Sequence, residues 1–390
     1  MLKLAESISD EIVQIRRDLH QHPELGFEEV RTSGVVAEQL RTIGFDNIRT
    51  QIGRTGVTVD FGSGDGPTIG IRADMDALPI HEATDVPFKS KNAGVMHACG
   101  HDCHTAMLLG VARLLHDDFK TNGSHWKGNI RLLFQPCEEK FDENGISGAT
   151  AMIQDAALEG VDQVIALHII SSLESGKLQF HDGFAMAAVD SFEAKIKGDG
   201  GHGAYPHLGR DPLFMLSSIL PALYGMTGRR ISPLDESVVS LGEIHAGSAE
   251  NVIPKEVYLH GTIRSFDDQV RQQLWKEVED CFRIADAMGG SYEFTLRKGY
   301  PSVHNSADVN AALKSVATEL AGEDVLVDES FGMGGEDFAY MAQSAPGAMF
   351  LLGAQVPGGG NHHTPIFDID ESVLPMGSAI LAETARRFVT

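Results

Sequence analysis

The chain is short of cysteine, of aromatic side chains and of basic residues, and it has no long apolar run. Four cysteines in 390 residues, at positions 99, 103, 137 and 281, are too few and too unevenly spaced for a disulfide framework, so a reducing cytoplasm is the expected compartment. The first residues agree: Glu6, Asp10 and Glu11 stand where a signal peptide would need an apolar segment of roughly 7 to 15 residues. No apolar run approaches the ~18 residues of a membrane-spanning helix. Lys plus Arg total 31 against 55 Asp plus Glu, a formal net charge of −24. Such a chain repels phosphate backbones and anionic head groups, so neither nucleic acid nor membrane is expected as a partner. A small anionic substrate stays open, because a few placed Arg or His side chains outweigh the far field locally.

What is present fits a globular protein of two to three domains, with 42% hydrophobic and 22% charged residues. Apolar positions recur at helical spacing from Ser7 to Ile43, broken by HQHPELGFEE. Strand-like runs follow at 57–61, 68–76, 129–136 and 161–170, with a helix beginning near Asp102. Strands alternating with helices predict an α/β domain with a largely parallel sheet flanked by helices. Near Asp190 the pattern changes. SFEAKIKG, SVVSLGEIHAG, EVYLHGTIRSF and SYEFTLRK alternate apolar and polar residues around helical stretches at 212–227 and 267–287, which predicts an antiparallel sheet with one open face. The expected division is therefore a domain of residues 1–188 and 300–390 carrying an inserted α+β domain of residues 189–299, with hinges near 188–190 and 298–301.

The segment HACGHDCH offers His97, Cys99, His101, Asp102, Cys103 and His104, all residue types that zinc or manganese accepts. It lacks the second CxxC or downstream HxxxH of a structural zinc knuckle, so a catalytic site drawing donors from several strand ends is expected instead. QPCEE places Glu138 and Glu139 just after a buried strand, where α/β folds put their active sites. One such carboxylate can bind metal while its neighbour acts on water. His168 ends another strand, and His362 and His363 lie in the glycine-rich loop GGGNHHTPIF. Cys103 and Cys137 are expected to be packing residues.

Eight ordered motifs, RADMDALP, MHACGHDCH, FQPCEE, GGHGAYPH, NVIP, GTIRSF, GGEDFAYM and HTPIF, together resemble the metallo-amidohydrolases of aminoacylase, hippurate hydrolase and auxin-conjugate hydrolase type, from about residue 10 to 388. This group is the cysteine-ligand branch of the dinuclear metal aminoacylases and carboxypeptidases. The resemblance implies two divalent ions per subunit, Zn²⁺ or Mn²⁺ with Co²⁺ and Ni²⁺ as further candidates. Cys99 would bridge them, with His101, Glu139, His168 and His363 completing the donor set. It also implies Glu138 as general base, Asp76 as an orienting carboxylate, and His202 as a group reaching the other subunit's active site. Asn251 and Arg264 would contact the oxyanion and the substrate carboxylate, and the inserted domain would be a lid that makes a homodimer or homotetramer.

The implied reaction is hydrolysis of the amide of an N-acyl amino acid, acetyl, benzoyl or similar, by metal-activated water. A dipeptidase or carboxypeptidase using the same ions is the alternative, and a non-catalytic binding protein is a weaker one. KFDENGISGA after Glu139 is longer than the short turn expected there, and acyl preference could change at that loop.

Overall fold

The computed structural model describes residues 1–327 and 329–390. The chain forms two compact units, one of Met1–Ala185, His304–Phe331 and Asp337–Thr390, the other of Met186–Val303 and Gly332–Glu336. In the first unit an eight-stranded sheet runs in the order Ile48–Ile52, Gly56–Gly62, Asn129–Gln135, Thr68–Asp74, Gln163–Ile170, Gly347–Gly353, Leu178–Gln179 and Leu326–Val327. Its four central strands, from Asn129–Gln135 to Gly347–Gly353, are mutually parallel. The antiparallel pairs lie towards the edges. Parallel strands need crossover connections that cover both faces of a sheet, and these strands are accordingly apolar on both faces. Gly347–Gly353 is buried along its whole length, and Ile165, Leu167 and Ile169 share a core with Leu108, Val111 and Leu115.

The helix His101–Asn122 carries much of this cover. Fifteen of its 22 residues are buried, and it packs against the C-terminal helix Leu374–Val389. Its start needs a glycine: Gly100 has φ +93°, and a Cβ there would lie 2.4 Å from Ile169 Cγ2. That close approach brings the first helical residues against the strand that carries His168. Parallel strands leave their C-terminal ends on one edge of the sheet, and Asp74, Gln135 and His168 lie at or near those ends.

The second unit is built around a four-stranded antiparallel sheet in the order Ser237–Ala246, Glu256–Ser265, Ala188–Lys197, Ser291–Lys298. Burial alternates strictly along Ala188–Lys197, as expected of a sheet with one covered face. Phe192, Ile196 and Leu259 meet Ile219, Leu274 and Phe282 from the helices Pro212–Gly225 and Asp268–Phe282. The second of these helices is capped by the Asp267 carboxylate, which accepts from Gln269 N–H (2.8 Å) and Val270 N–H (3.1 Å). Buried Asp190 accepts two bonds from the Arg271 guanidinium (2.8 and 2.7 Å), one from Trp275 Nε1 (2.7 Å) and one from Gly299 N–H (2.9 Å). One carboxylate thus ties the unit's first long strand to a helix and to the end of its last strand.

Candidate active site

Among the groups of three potential donor atoms in the described residues, two share Cys99 near the C-terminal edge of the large sheet. Cys99, His101 and His168 form one, and Cys99, Glu139 and His363 form the other, each with all donor atoms within 4.8 Å of one another. The groups share the Cys99 sulfur. His168 Nε2 lies 3.5 Å and His363 Nε2 3.4 Å from that sulfur, while Glu139 Oε1 is 3.2 Å from His363 Nε2 and 3.9 Å from His101 Nε2. Donors that share a tetrahedral ion with bonds of 2.0–2.3 Å sit roughly 3.3 to 3.8 Å apart, so this spacing suits a cation. Two orphaned atoms point the same way: His101 Nε2 and Glu139 Oε1 are buried without a hydrogen-bond partner.

The electrostatics of Cys99 and His101 also favour positive charge beside them. Burial, reinforced by Glu139, Glu138 and Asp74, pushes the Cys99 thiol well above its usual range, so a thiolate forms there only with a cation beside it. Burial, with His104 and His362 nearby, holds His168 well below the usual imidazole range and keeps its ring neutral. Burial would lower His101 too, but Asp74, Asp76 and Glu139 outweigh it and raise that ring to about 10. A cation would therefore replace a proton at His101 and at Cys99.

Surrounding groups fix the donors. Asp76 reaches two of them, with Oδ1 3.1 Å from His101 Nδ1 and Oδ2 accepting from the Glu139 N–H at 3.1 Å. Glu138 is buried, forms a further group with His101 and Glu139, and accepts from Asp337 N–H at 3.3 Å. It belongs to neither of the groups that share Cys99.

Sequence reading missed a layer beneath these. Asp74 Oδ1 lies 2.6 Å from His104 Nδ1, and His104 Nε2 accepts from the Ile169 N–H at 2.9 Å, which ties the helix to the strand next to His168. Arg72 donates to Asp74 (2.7 Å), Gln135 (2.8 Å) and Asp337 (3.0 Å), joining RADMDALP, FQPCEE and GGEDFAYM through buried hydrogen bonds. Long-range pairing of this kind leaves no local pattern: His104 stands among the metal-accepting residues of HACGHDCH, but nothing in the sequence ties it to Asp74, and Arg72 shows only as a charge within an apolar strand.

The adjacent histidines part company. His363, half-exposed and with φ +60°, turns towards Cys99 and Glu139, whereas His362 is taken up by Ser171 N–H (3.1 Å) and is pushed down to about 3 by burial. Cys103 and Cys137 are buried and join no donor group among the described residues. Of the remaining candidates, His202 and Asn251 come together in the second unit, where His202 pairs with Val252 and the Asn251 carbonyl accepts from Gly203 N–H at 2.7 Å. Arg264 stands apart from them on Glu256–Ser265.

The profile of Peptidase family M20/M25/M40 matches residues 70–387, and the chain belongs to that family. It is 40% identical over 395 residues to thermostable carboxypeptidase 1 of Saccharolobus solfataricus, covering 98% of this chain and 96% of that protein. It is 38% identical over 396 residues to IAA-amino acid hydrolase ILR1-like 2 of Arabidopsis thaliana (100% and 88%). It is also 38% identical over 390 residues to N-acetyl-L-cysteine deacetylase of Bacillus subtilis (98% and 89%). The crystal structure of Bacillus subtilis YXEP, described as a dinuclear metal binding peptidase from the M20 family, superposes with TM-score 0.83 at 34% identity, covering 98% of this chain and 99% of that one. The protein is thus a metal-dependent hydrolase of linear amides, with the α/β fold and separate antiparallel sheet of its family.

Proposed function

We propose that this hydrolase removes the acyl group from N-acyl amino acids, releasing a carboxylate and a free amino acid. The supporting observation is the pair of donor groups that meet at Cys99, with the Glu138 carboxylate beside them and outside both. In this reading Cys99, His101, Glu139, His168 and His363 would hold two divalent ions, zinc or manganese by donor type, with the Cys99 sulfur common to both donor groups. When bound, two such ions lower the pKa of a water molecule and polarise the scissile carbonyl. Glu138 accepts that water's proton on a carboxylate oxygen as the oxygen attacks the carbonyl carbon, then delivers it to the departing nitrogen as the C–N bond breaks. Asp76 holds the His101 ring through Nδ1, leaving Nε2 as the donor atom.

The second unit supplies the lid and the contact with a second copy in this proposal, as a homodimer or homotetramer in the cytoplasm. His202 is exposed, and its Nδ1 accepts from Ala204 N–H at 3.0 Å, so the neutral ring carries its proton on Nε2 and can donate to an oxyanion in the second copy's site. Arg264 is half-buried and makes no ion pair among the described residues; its Nη1 donates to the Thr262 hydroxyl and to the Ile263 carbonyl (3.1 Å), which leaves Nε and Nη2 for a substrate carboxylate. Asn251 is the candidate oxyanion contact.

The deacetylase and the IAA-amino acid hydrolase favour an N-acyl amino acid by their names, and the carboxypeptidase favours the same cleavage on a peptide bond. Comparing N-acetyl and N-benzoyl amino acids with dipeptides separates the two; faster dipeptide cleavage would overturn the acyl reading. Glu138→Ala is expected to keep its metal content and to lose turnover by roughly 10²–10⁴-fold. Retained turnover would remove the base from Glu138.

A further inference from the structure

We propose that Glu29 is a positioning residue for the Glu138 and Glu139 loop, holding the strained Cys137 backbone so that Glu139 meets its partner donors. The inference rests on the metal-site reading above. Glu29 is fully buried and has no cationic partner among the described residues. A carboxylate taken out of water without a counter-charge is a poor stabiliser, so its hydrogen bonds show where it acts. One oxygen accepts from Cys137 N–H at 2.8 Å, and the other from the Thr55 hydroxyl at 2.5 Å. Cys137 directly precedes the two glutamates and has φ +45°, a conformation that side-chain-bearing residues rarely adopt unless their surroundings enforce it.

The enforcement comes from several sides. The Cys137 carbonyl accepts from Gly148 N–H at 2.8 Å, closing the long loop after the glutamates. The Cys137 sulfur rests on Gly26, where a Cβ would lie 2.6 Å from it. The segment bearing Gly26 and Glu29 is itself fixed, because Glu24 accepts the N–H groups of Arg31 (2.9 Å) and Thr32 (2.8 Å) at the start of the helix Val30–Ile43. Arg54 stacks 3.9 Å from the Phe27 ring centroid and pairs with Asp142 in that same loop. Phe27 and Arg54 also have positive φ, 65° and 80°. The left-handed backbone is therefore concentrated on both sides of the contact that Glu29 makes. The donor carboxylate is set from behind by a segment more than 100 residues away in the chain.

The test is a chelator-competition titration of metal-free protein with Mn²⁺, run on the wild type, Glu29→Ala, Glu29→Gln and Thr55→Val, with the melting temperature of each metal-free protein recorded beside it. Glu29→Ala should weaken Mn²⁺ binding by roughly 10- to 100-fold, the usual scale for a group that orients ligands. Glu29→Gln, which keeps an acceptor for Cys137 N–H, should stay within about threefold of wild type, and Thr55→Val should lose about threefold. A folded Glu29→Ala with wild-type affinity would overturn the proposal. So would a Glu29→Gln as weak as Glu29→Ala. If Glu29→Ala does not fold, the Thr55→Val affinity decides, and an unchanged value overturns the proposal. Failure of the wild type to bind Mn²⁺ would instead remove the metal-site reading, and this inference with it.

Discussion

At the strand ends of the first unit, Arg72, Asp74, Asp76, His101 and His104 are all nearly or fully buried and bonded to one another, while beside them Arg16, His20 and Asp102 form a second buried charged group. Among the described residues of the second unit the buried charges are Asp190 with Arg271, Glu277 with the exposed Arg230, and Glu336, while residues such as Phe214, Leu234 and Val252 face solvent. Burying charge costs several kcal/mol per group unless geometry repays it. In the second unit Asp190 with Arg271 joins strand to helix, and Glu277 with Arg230 joins helix to helix. The first unit buries more charged groups, and several of them lie around the atoms that would hold ions. Its excess of buried polar groups marks a site; their scarcity in the second unit marks a support.

The comparison can be broken most sharply by removing one carboxylate from each unit. Asp102→Asn deprives Arg16 Nε and His20 Nδ1 of a partner 2.8 Å from each, and should cost about 3–5 kcal/mol in chemical denaturation while weakening Mn²⁺ binding. Asp190→Asn should destabilise by a comparable amount and leave Mn²⁺ affinity unchanged. Equal effects on affinity would erase the distinction.

Acid should act through the first unit. Burial holds His97 down at about 4 against an ordinary 6.5, and both its ring nitrogens lack partners. The unfolded chain takes up that proton below 6.5 and the folded chain does not, so stability falls as pH drops from 6.5 towards 4, by up to about 3 kcal/mol. His97→Leu should flatten that part of the pH profile, and an unchanged slope would count against the assignment.

Metal loading sharpens the same contrast. Cys99 and His101 are protonated at pH 8 without a cation, so binding should release about two protons, measurable by calorimetry in buffers of different ionisation enthalpy. Zero net release would contradict the donor set. The smallest effect expected is in the second unit: Arg264→Lys should raise KM for a carboxylate-bearing substrate by about tenfold with metal content intact.

Much of this was legible in the sequence because the chemistry is written in residue types that have few other uses. HACGHDCH and QPCEE place cysteine, histidine and glutamate at the edges of apolar runs, and apolar periodicity alone separates the parallel centre from the antiparallel sheet. Two-residue strands such as Leu178–Gln179 and Leu326–Val327 escape such a reading, since they are too short to show a period and exist only by pairing with neighbours. The resemblance chooses His363 over its neighbour His362, and in the fold it is the His363 ring that faces Cys99 and Glu139. The partners of Arg72, His104 and Glu29 are legible only once the chain has folded, because each lies far away in sequence.

The sulfur of Cys99 belongs to both donor groups, and that gives the protein a single point of failure. Under the proposed metal-site reading, alkylation or oxidation of that one atom would disarm both donor groups at once. A thiol only 9% exposed offers a reagent little to attack, so the guard on this weak spot is the fold around it.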